Sequence, residues 1–228
     1  MLVFSLGGSI VNSGKINIKF LREFKDFCIE LVNSKEKLMI ITGGGFVARE
    51  YQEAAREFSV NNNDILDKLG IRATKINAEL LIAVLGDLAY KEVLETPNEP
   101  VSSLLPIGDN SDIKDKKIFV FSGWKPGWST DYVSVCVSER FNAKKIFNLT
   151  NISKVYNKEK QDLDRLTWDE YLEIIGSNWE PGMNTPFDPV ASKKASDLGI
   201  SVFVLKGTDL YNLKQAIKGQ KFNGTIIS

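Results

Sequence analysis

Three clusters of glycine stand where short apolar runs end: Gly7-Gly8-Ser9 after Leu2 to Leu6, Gly43-Gly44-Gly45 after Leu38 to Thr42, and Gly123 to Thr130 after Lys117 to Ser122. A glycine at such a point removes Cβ where a phosphate has to reach backbone N–H groups. The helix that follows offers unpaired amides and the positive end of its dipole to the same anion. A single glycine-bearing turn is more often just a tight turn, but three after three strands in one chain point to a site for phosphorylated molecules. None is followed by the Gly-Lys-Ser or Gly-Lys-Thr of a phosphate-loop NTPase, and none has the GxGxxG spacing of a dinucleotide fold. The cradle is therefore of another kind.

The side-chain repertoire narrows the chemistry further. The 228 residues include no histidine, which removes the commonest general base, the Ser-His and Cys-His nucleophiles and most zinc ligation. Lys, Arg, Asp, backbone amides or a bound cation must do the work, and phosphoryl transfer suits that set because its catalysis is mainly positioning and charge stabilisation. Lys plus Arg and Asp plus Glu both number 29, so no global field draws in nucleic acid or an anionic membrane, and neither is expected as a partner. The N-terminus lacks the pattern of a secretory signal and no apolar run reaches membrane-spanning length, which predicts a cytoplasmic protein. Cys28 and Cys136 lie in segments read as amphipathic helices and are expected to be reduced; no metal site is expected from them.

The elements that must position these residues follow from apolar periodicity. Helices are predicted over Phe20 to Val32, Val47 to Phe58 and Asp64 to Leu94, the last with a break at Gly70. Pro97, Pro100 and Pro106 mark an irregular connection with a short buried stretch. The loop from Gly123 to Asp131 caps a helix beginning near Tyr132, a strand follows at Lys145 to Leu149, and Thr167 to Glu170 reads as a capping box for a helix to Ile175. Glu180 to Pro189 is a loop, Val190 to Leu198 a helix, Ser201 to Leu205 a strand, Leu210 to Ile217 a helix and Thr225 to Ile227 a last short strand. Strands alternating with helices predict an α/β fold with a mainly parallel central sheet in one domain spanning 1–228. The apolar face of the first long helix (Phe20, Leu21, Phe24, Phe27 and Leu31) is available to the core and, as an option, to a subunit contact.

The order of motifs along nearly the whole chain resembles the archaeal-type uridylate (UMP) kinases of the amino-acid kinase superfamily. The motifs are Leu6-Gly7-Gly8-Ser9; Thr42 to Gly45 with Ala48-Arg49-Glu50-Tyr51; Leu69-Gly70-Ile71 with Thr74 and Asn77-Ala78; Pro126-Gly127 with Ser129-Thr130-Asp131; Thr150-Asn151 with Val155-Tyr156; Asp188 to Lys193; and Asn223 to Ile227. The resemblance implies a three-layer αβα sandwich, an acceptor lobe over roughly 1–140 and a nucleotide lobe over roughly 141–228. It implies transfer of the ATP γ-phosphoryl group to UMP with Mg²⁺, in a homo-oligomer, hexamer or dimer.

Carried over residue by residue, the resemblance assigns Gly7, Gly8, Ser9, Gly45 and Arg49 to the ATP phosphates, and Thr150, Asn151, Tyr156 and Glu159 to the adenine and ribose side. It assigns Gly44, Asp67 and the loop Trp124, Lys125, Pro126, Gly127, Trp128, Ser129 and Thr130 to UMP, and gives Arg49, Asp131 and Lys193 the catalytic roles. Taken singly, Asp131 also reads as a helix N-terminal charge, Thr130 as an N-cap, and Arg49 and Lys193 as solvated side chains.

The chain departs from the wider pattern at Ser5, where many superfamily members have lysine. It departs again at Ile152-Ser153-Lys154, which lacks an aspartate and a glycine usual there, and at Glu159 and Lys160. Lys154 reads as facing water or as added charge near the phosphates. A nucleotide- or oxyanion-binding protein without turnover, or a kinase of another small acid or phosphate, are the alternative readings.

Overall fold

The computed structural model describes residues 1–97, 116–176 and 185–228. The apolar runs Leu2–Leu6 (β1) and Leu38–Thr42 (β2) are buried almost throughout, as strands covered on both faces must be. They are joined by β3 (Ile118–Phe121), β4 (Lys145–Thr150) and β8 (Ser201–Lys206), all parallel. Short strands β9 (Thr225–Ile227) and β7 (Arg165–Leu166) complete one seven-stranded sheet among the described residues, in the order β3-β2-β1-β4-β8-β9-β7. Of these β9 runs antiparallel to β8. Strands β5 (Val155–Tyr156) and β6 (Asp162–Leu163) form a separate antiparallel pair.

Alternation along each strand divides the core into two layers. Phe4, Leu6, Leu38, Ile40, Phe147 and Phe203 pack with Phe20 and Phe24 of α2 (Ile18–Asn33), Leu81 of α4 (Asn63–Leu85) and Leu213 of α8 (Leu210–Ile217). Val3, Met39, Ile41, Ile146 and Val202 face the other way, onto Val133 of α5 (Thr130–Arg140), Tyr171 of α6 (Trp168–Ile175) and Ala191 of α7 (Pro189–Asp197). This is the expected three-layer αβα sandwich. Two further helices rise from the strand ends: α1 (Gly8–Val11) and α3 (Gly45–Glu57), which packs on α4.

The structure corrects the sequence reading at several points. Helix α4 runs unbroken through Gly70. A Cβ there would come 2.9 Å from Gln52 Nε2, so this glycine admits a neighbouring side chain and does not end the helix. The helix stops at Leu85, short of Leu94, because Gly86 turns the chain with φ +62. Residues 89–97 then lie beside β3, bridging Ala89 to Ile118 and Leu94 to Phe121. Gly8 and Ser9 are the first residues of α1 and not a loop. The connection at Pro100 and Pro106, and the loop over 180–184, lie outside the described residues.

The apolar face of α2 is consumed within one chain: Phe20, Leu21, Phe24, Phe27 and Leu31 are at most 8% exposed. It is thus unavailable as a subunit contact. Phe24 carries most of this layer, with ring centroids at 5.2 Å from Phe20 and 6.4 Å from Phe4 and Phe27. Phe24→Ala should lower stability by about 3–5 kcal/mol, read as a lower urea midpoint at unchanged slope.

Candidate active site

The glycine clusters after β1 and β2 meet each other before they meet any ligand. A Cβ on Gly8 would stand 2.2 Å from the amide nitrogen of Gly45, and one on Gly45 would stand 2.3 Å from the carbonyl carbon of Gly8. No side chain fits between two backbones in such contact, and Gly45 additionally has φ +64. Gly7 N–H donates to Leu149 O and Gly43 N–H to Leu6 O, both at 2.9 Å, which pins the turns to the strand ends. The reason for glycine at Gly8, Gly43 and Gly45 is therefore first the contact between turns. Its effect is to bring the N-termini of α1 and α3 side by side.

Helix α4 ties the third loop to the same place through buried polar residues. Thr74 Oγ1 accepts from Gly123 N–H at 2.7 Å, and Thr42 Oγ1 donates to the carbonyls of Thr74 and Phe121 at 3.1 and 3.2 Å. Asn77 Nδ2 donates to Gly43 O at 2.8 Å and Gly44 O at 3.3 Å. Asp67 Oδ2 accepts from Gly127 N–H at 2.7 Å. Burial raises the Asp67 carboxyl above its ordinary value, the Gly127 bond partly opposing this.

Beyond the third loop two carboxylates join the N-termini of α5 and α7. Asp131 Oδ1 accepts from Ser5 Oγ at 3.0 Å and Oδ2 from the Asp188 N–H at 3.2 Å. Asp188 Oδ1 caps α7 by accepting from Val190 and Ala191 N–H at 2.8 and 2.9 Å, while its Oδ2 accepts from Ser129 Oγ. Ser129 in turn caps α5 by accepting from Tyr132 N–H at 3.0 Å. Burial, and after it the charge of Asp188, push the Asp131 carboxyl up to about 7; the bonds from Ser5 and the Asp188 amide act against the shift. Asp188 is raised too, again chiefly by burial.

These parts enclose one cavity of about 440 Å³ at the carboxyl ends of β1 to β4, where open parallel sheets bind ligands. Of the residues singled out from sequence, Gly7, Gly8, Ser9, Gly44, Gly45, Arg49, Asp67, Trp128, Ser129, Thr130, Asp131, Thr150 and Asn151 line it. Arg49, though exposed, reaches across from α3 to donate to Ser9 Oγ at 3.0 Å. Trp124, Lys125, Pro126 and Gly127 lie outside the lining. The Lys125 ammonium sits 4.2 Å from the Trp124 ring, which stacks on Trp128 at 6.5 Å, and Trp128 on Tyr132 at 4.0 Å. That stack stiffens the wall from behind.

Tyr156 and Glu159, on β5 and the turn to β6, do not line the cavity, nor does the exposed Lys193. Lys154 does not join the cavity lining: its ammonium pairs at the surface with the exposed carboxylate of Asp164. Sequence reading missed Gln52, Thr74, Asn148 and Asp188 as lining residues. Asp188 had a signal, an aspartate before a proline that opens a helix. For the others the available sign was a polar residue on an otherwise apolar helix or strand face.

Comparison with known proteins agrees with this geometry. A profile of the amino acid kinase family matches residues 1–206. The uridylate kinase of Pyrococcus abyssi is 32% identical over 99% of this chain and 98% of its own length. That of Methanoculleus marisnigri is 34% identical over 99% and 94%. Among solved structures, the uridylate kinase from Archaeoglobus fulgidus superposes with a TM-score of 0.80 at 31% identity, covering 100% of this chain and 99% of that one.

Two outcomes follow from the geometry. Gly8→Ala forces two backbones apart and should cost more than about 3 kcal/mol, seen as loss of a cooperative urea transition near the wild-type midpoint. Asp131 holds its proton more tightly folded than unfolded, so its ionisation weighs against the fold. The stability it provides falls as pH rises from about 4, the ordinary carboxylate value, to about 7, its folded value. Asp131→Asn should flatten that decline in urea titrations across the window; an unchanged slope would contradict the assignment.

Proposed function

This chain belongs to the amino acid kinase family, and on that premise we propose that it transfers the γ-phosphoryl group of ATP to UMP, giving ADP and UDP. The observation that carries the reading is the convergence of three glycine-bearing turns and four helix N-termini on one cavity. In the reaction a phosphate oxygen of UMP forms a bond to the γ-phosphorus as the bond to the β,γ-bridging oxygen breaks. The UMP phosphate is already ionised at neutral pH, so no general base is needed, and a chain without histidine loses nothing. Uridylate kinases of Pyrococcus abyssi and Archaeoglobus fulgidus, matched over nearly their full lengths, support the choice of UMP.

We assign Gly7, Gly8, Ser9, Gly45, Thr150 and Asn151 to the donor, with Arg49 supplying fixed charge to the transferring group. Gly44, Asp67, Trp128, Ser129 and Thr130 are assigned to the acceptor, so that residues 1–140 hold mainly UMP and residues 141–228 the nucleoside of ATP. Tyr156 and Glu159 remain in the reading only as outer residues of the donor side, and Lys193 as a lysine beyond the wall.

Mg²⁺ is expected with ATP. No trio of His, Cys, Asp or Glu gathers among the described residues. Asp131 and Asp188 nevertheless stand together at the cavity wall, which fits an ion that takes one or two carboxylates beside phosphates and water. When bound it neutralises charge on the phosphates. A cytoplasmic homo-oligomer, hexamer or dimer, serving pyrimidine nucleotide synthesis completes the proposal. Among the described residues no helix is long and apolar enough to cross a membrane.

Purified protein with ATP, Mg²⁺ and a panel of acceptors tests the reading: UDP from UMP is expected, with Arg49→Ala slowing turnover about 10²-fold or more and Arg49→Lys recovering only part. ATP binding without transfer to any acceptor would replace it with the binding-protein reading, for which the altered Ser153-Lys154 segment speaks. ADP release only with carboxylic acids or carbamate would move the acceptor to another class.

A further inference from the structure

Gln52 is the one buried residue of α3, at 4% exposure, and it lines the cavity beside Asp67, Gly70 and Ile71 of α4. A polar side chain with two donor hydrogens and one acceptor oxygen is costly in such a place unless something uses it. Its Nε2 donates to the Leu66 carbonyl at 2.9 Å. Because a carbonyl can only accept, this bond fixes which way the amide faces: turning it over would set Oε1 against Leu66 O. The seat for the amide is built by the absence of a side chain at Gly70, whose Cβ would stand 2.9 Å from Nε2. What remains on the locked amide is one edge, Oε1 beside the second Nε2–H, whose order cannot invert.

The position along α3 suits the far end of a nucleotide. Gln52 lies about 10 Å along the helix axis from Gly45, by the rise per residue. It shares a helix face with Ala48, which also lines the cavity. The glycine turns form the phosphate end, and Asp67 stands on α4 one residue beyond Leu66, the partner of the Gln52 amide. A nucleoside monophosphate laid from the turns past Asp67 brings its base to this amide.

We propose that Gln52 is the residue that selects uracil over cytosine, its Oε1 accepting the N3–H of the base; this rests on the UMP kinase reading above. Uracil presents N3–H as a donor, whereas cytosine presents a bare N3 acceptor at the same place. With Oε1 set against position 3 and the remaining Nε2–H against position 4, the fixed edge matches the N3–H and O4 of uracil and is mismatched at both places to the bare N3 and the amino group of cytosine. A freely turning glutamine would serve both bases, so the Leu66 bond and the gap at Gly70 are what make the residue selective. Buried polar groups left unpaired by the wrong ligand are the strong form of discrimination.

The test uses wild-type protein, Gln52→Met and Gln52→Glu, with UMP, CMP and N3-methyl-UMP as acceptors at saturating ATP and Mg²⁺. Wild type should prefer UMP over CMP, and over N3-methyl-UMP, by about 10- to 100-fold in kcat/KM. Gln52→Met, near in volume, should lose most of its rate with UMP and little with the other two, so that the ratios collapse toward one while the KM for ATP holds. Gln52→Glu keeps an acceptor at position 3 but loses the donors to Leu66 and to position 4, so its preference for UMP over CMP should narrow while that over N3-methyl-UMP persists. The inference is overturned if Gln52→Met lowers all three acceptors alike, or if wild type, which needs no variant to fold, uses N3-methyl-UMP as well as UMP. Wild type that phosphorylates no pyrimidine nucleotide would overturn the kinase reading itself, whereas UMP turnover with unaltered ratios in both variants sinks only the role of Gln52.

Discussion

Direct contact between two backbones organises this protein. Gly8 and the Gly43 to Gly45 turn approach so closely that the atoms of one occupy the space of a methyl group on the other. Two parallel strands end side by side at β1 and β2, and the chain has to leave both in the same direction without separating them. Glycine allows this, and as a result helices α1 and α3 begin next to each other with their positive ends at one rim of the sheet. The site is thus a by-product of how adjacent parallel strands are terminated. Helix N-termini gathered in this way favour an anion without any net positive charge, and the chain has none.

The rest of the rim is held by polar groups taken out of water. Thr42, Thr74 and Asn77 are at most 5% exposed, and each hydrogen-bonds to the backbone of β3 or of a glycine-bearing turn, or to a residue that does. A buried donor or acceptor without its partner costs about 1–3 kcal/mol, so these bonds specify a single arrangement of the three turns. Asp131 and Asp188 do the same for α5 and α7, but with charge. Burial there works against ionisation, and the helix amides and serine hydroxyls only partly compensate. A cation bound beside the pair would relieve that tension.

The Ser5 position shows how a departure from a wider pattern can be absorbed. A serine there donates to Asp131 at 3.0 Å, keeping the carboxylate oriented without adding charge. Lys154, in the second departure, is likewise drawn into a local pair with Asp164 and does not line the cavity. Both side chains are satisfied by a partner within the chain.

Element order and the parallel sheet were legible because apolar runs and helical spacing are local; that Val3, Met39 and Ile146 face one layer and Phe4, Ile40 and Phe147 the other was shown by the fold. The glycine clusters were legible for the same reason. Their meaning was not, since a glycine that admits phosphate and a glycine that admits another backbone look alike in one dimension. Gly70 was read as a break and is the seat of the Gln52 amide. Asp131 and Asp188 are far apart in the chain, and only the packing of α5 beside α7 joins them and raises their carboxyls. The sequence alone settled the main strands and helices and where turns lacking side chains fall, because those depend on near neighbours; the end of α4 and the two-residue strands β5, β6 and β7 were not read from it. Which turns touch, which polar side chains lose water, and which carboxyl meets which amide were decided by the tertiary structure, because burial and charge coupling act between residues that only folding brings together.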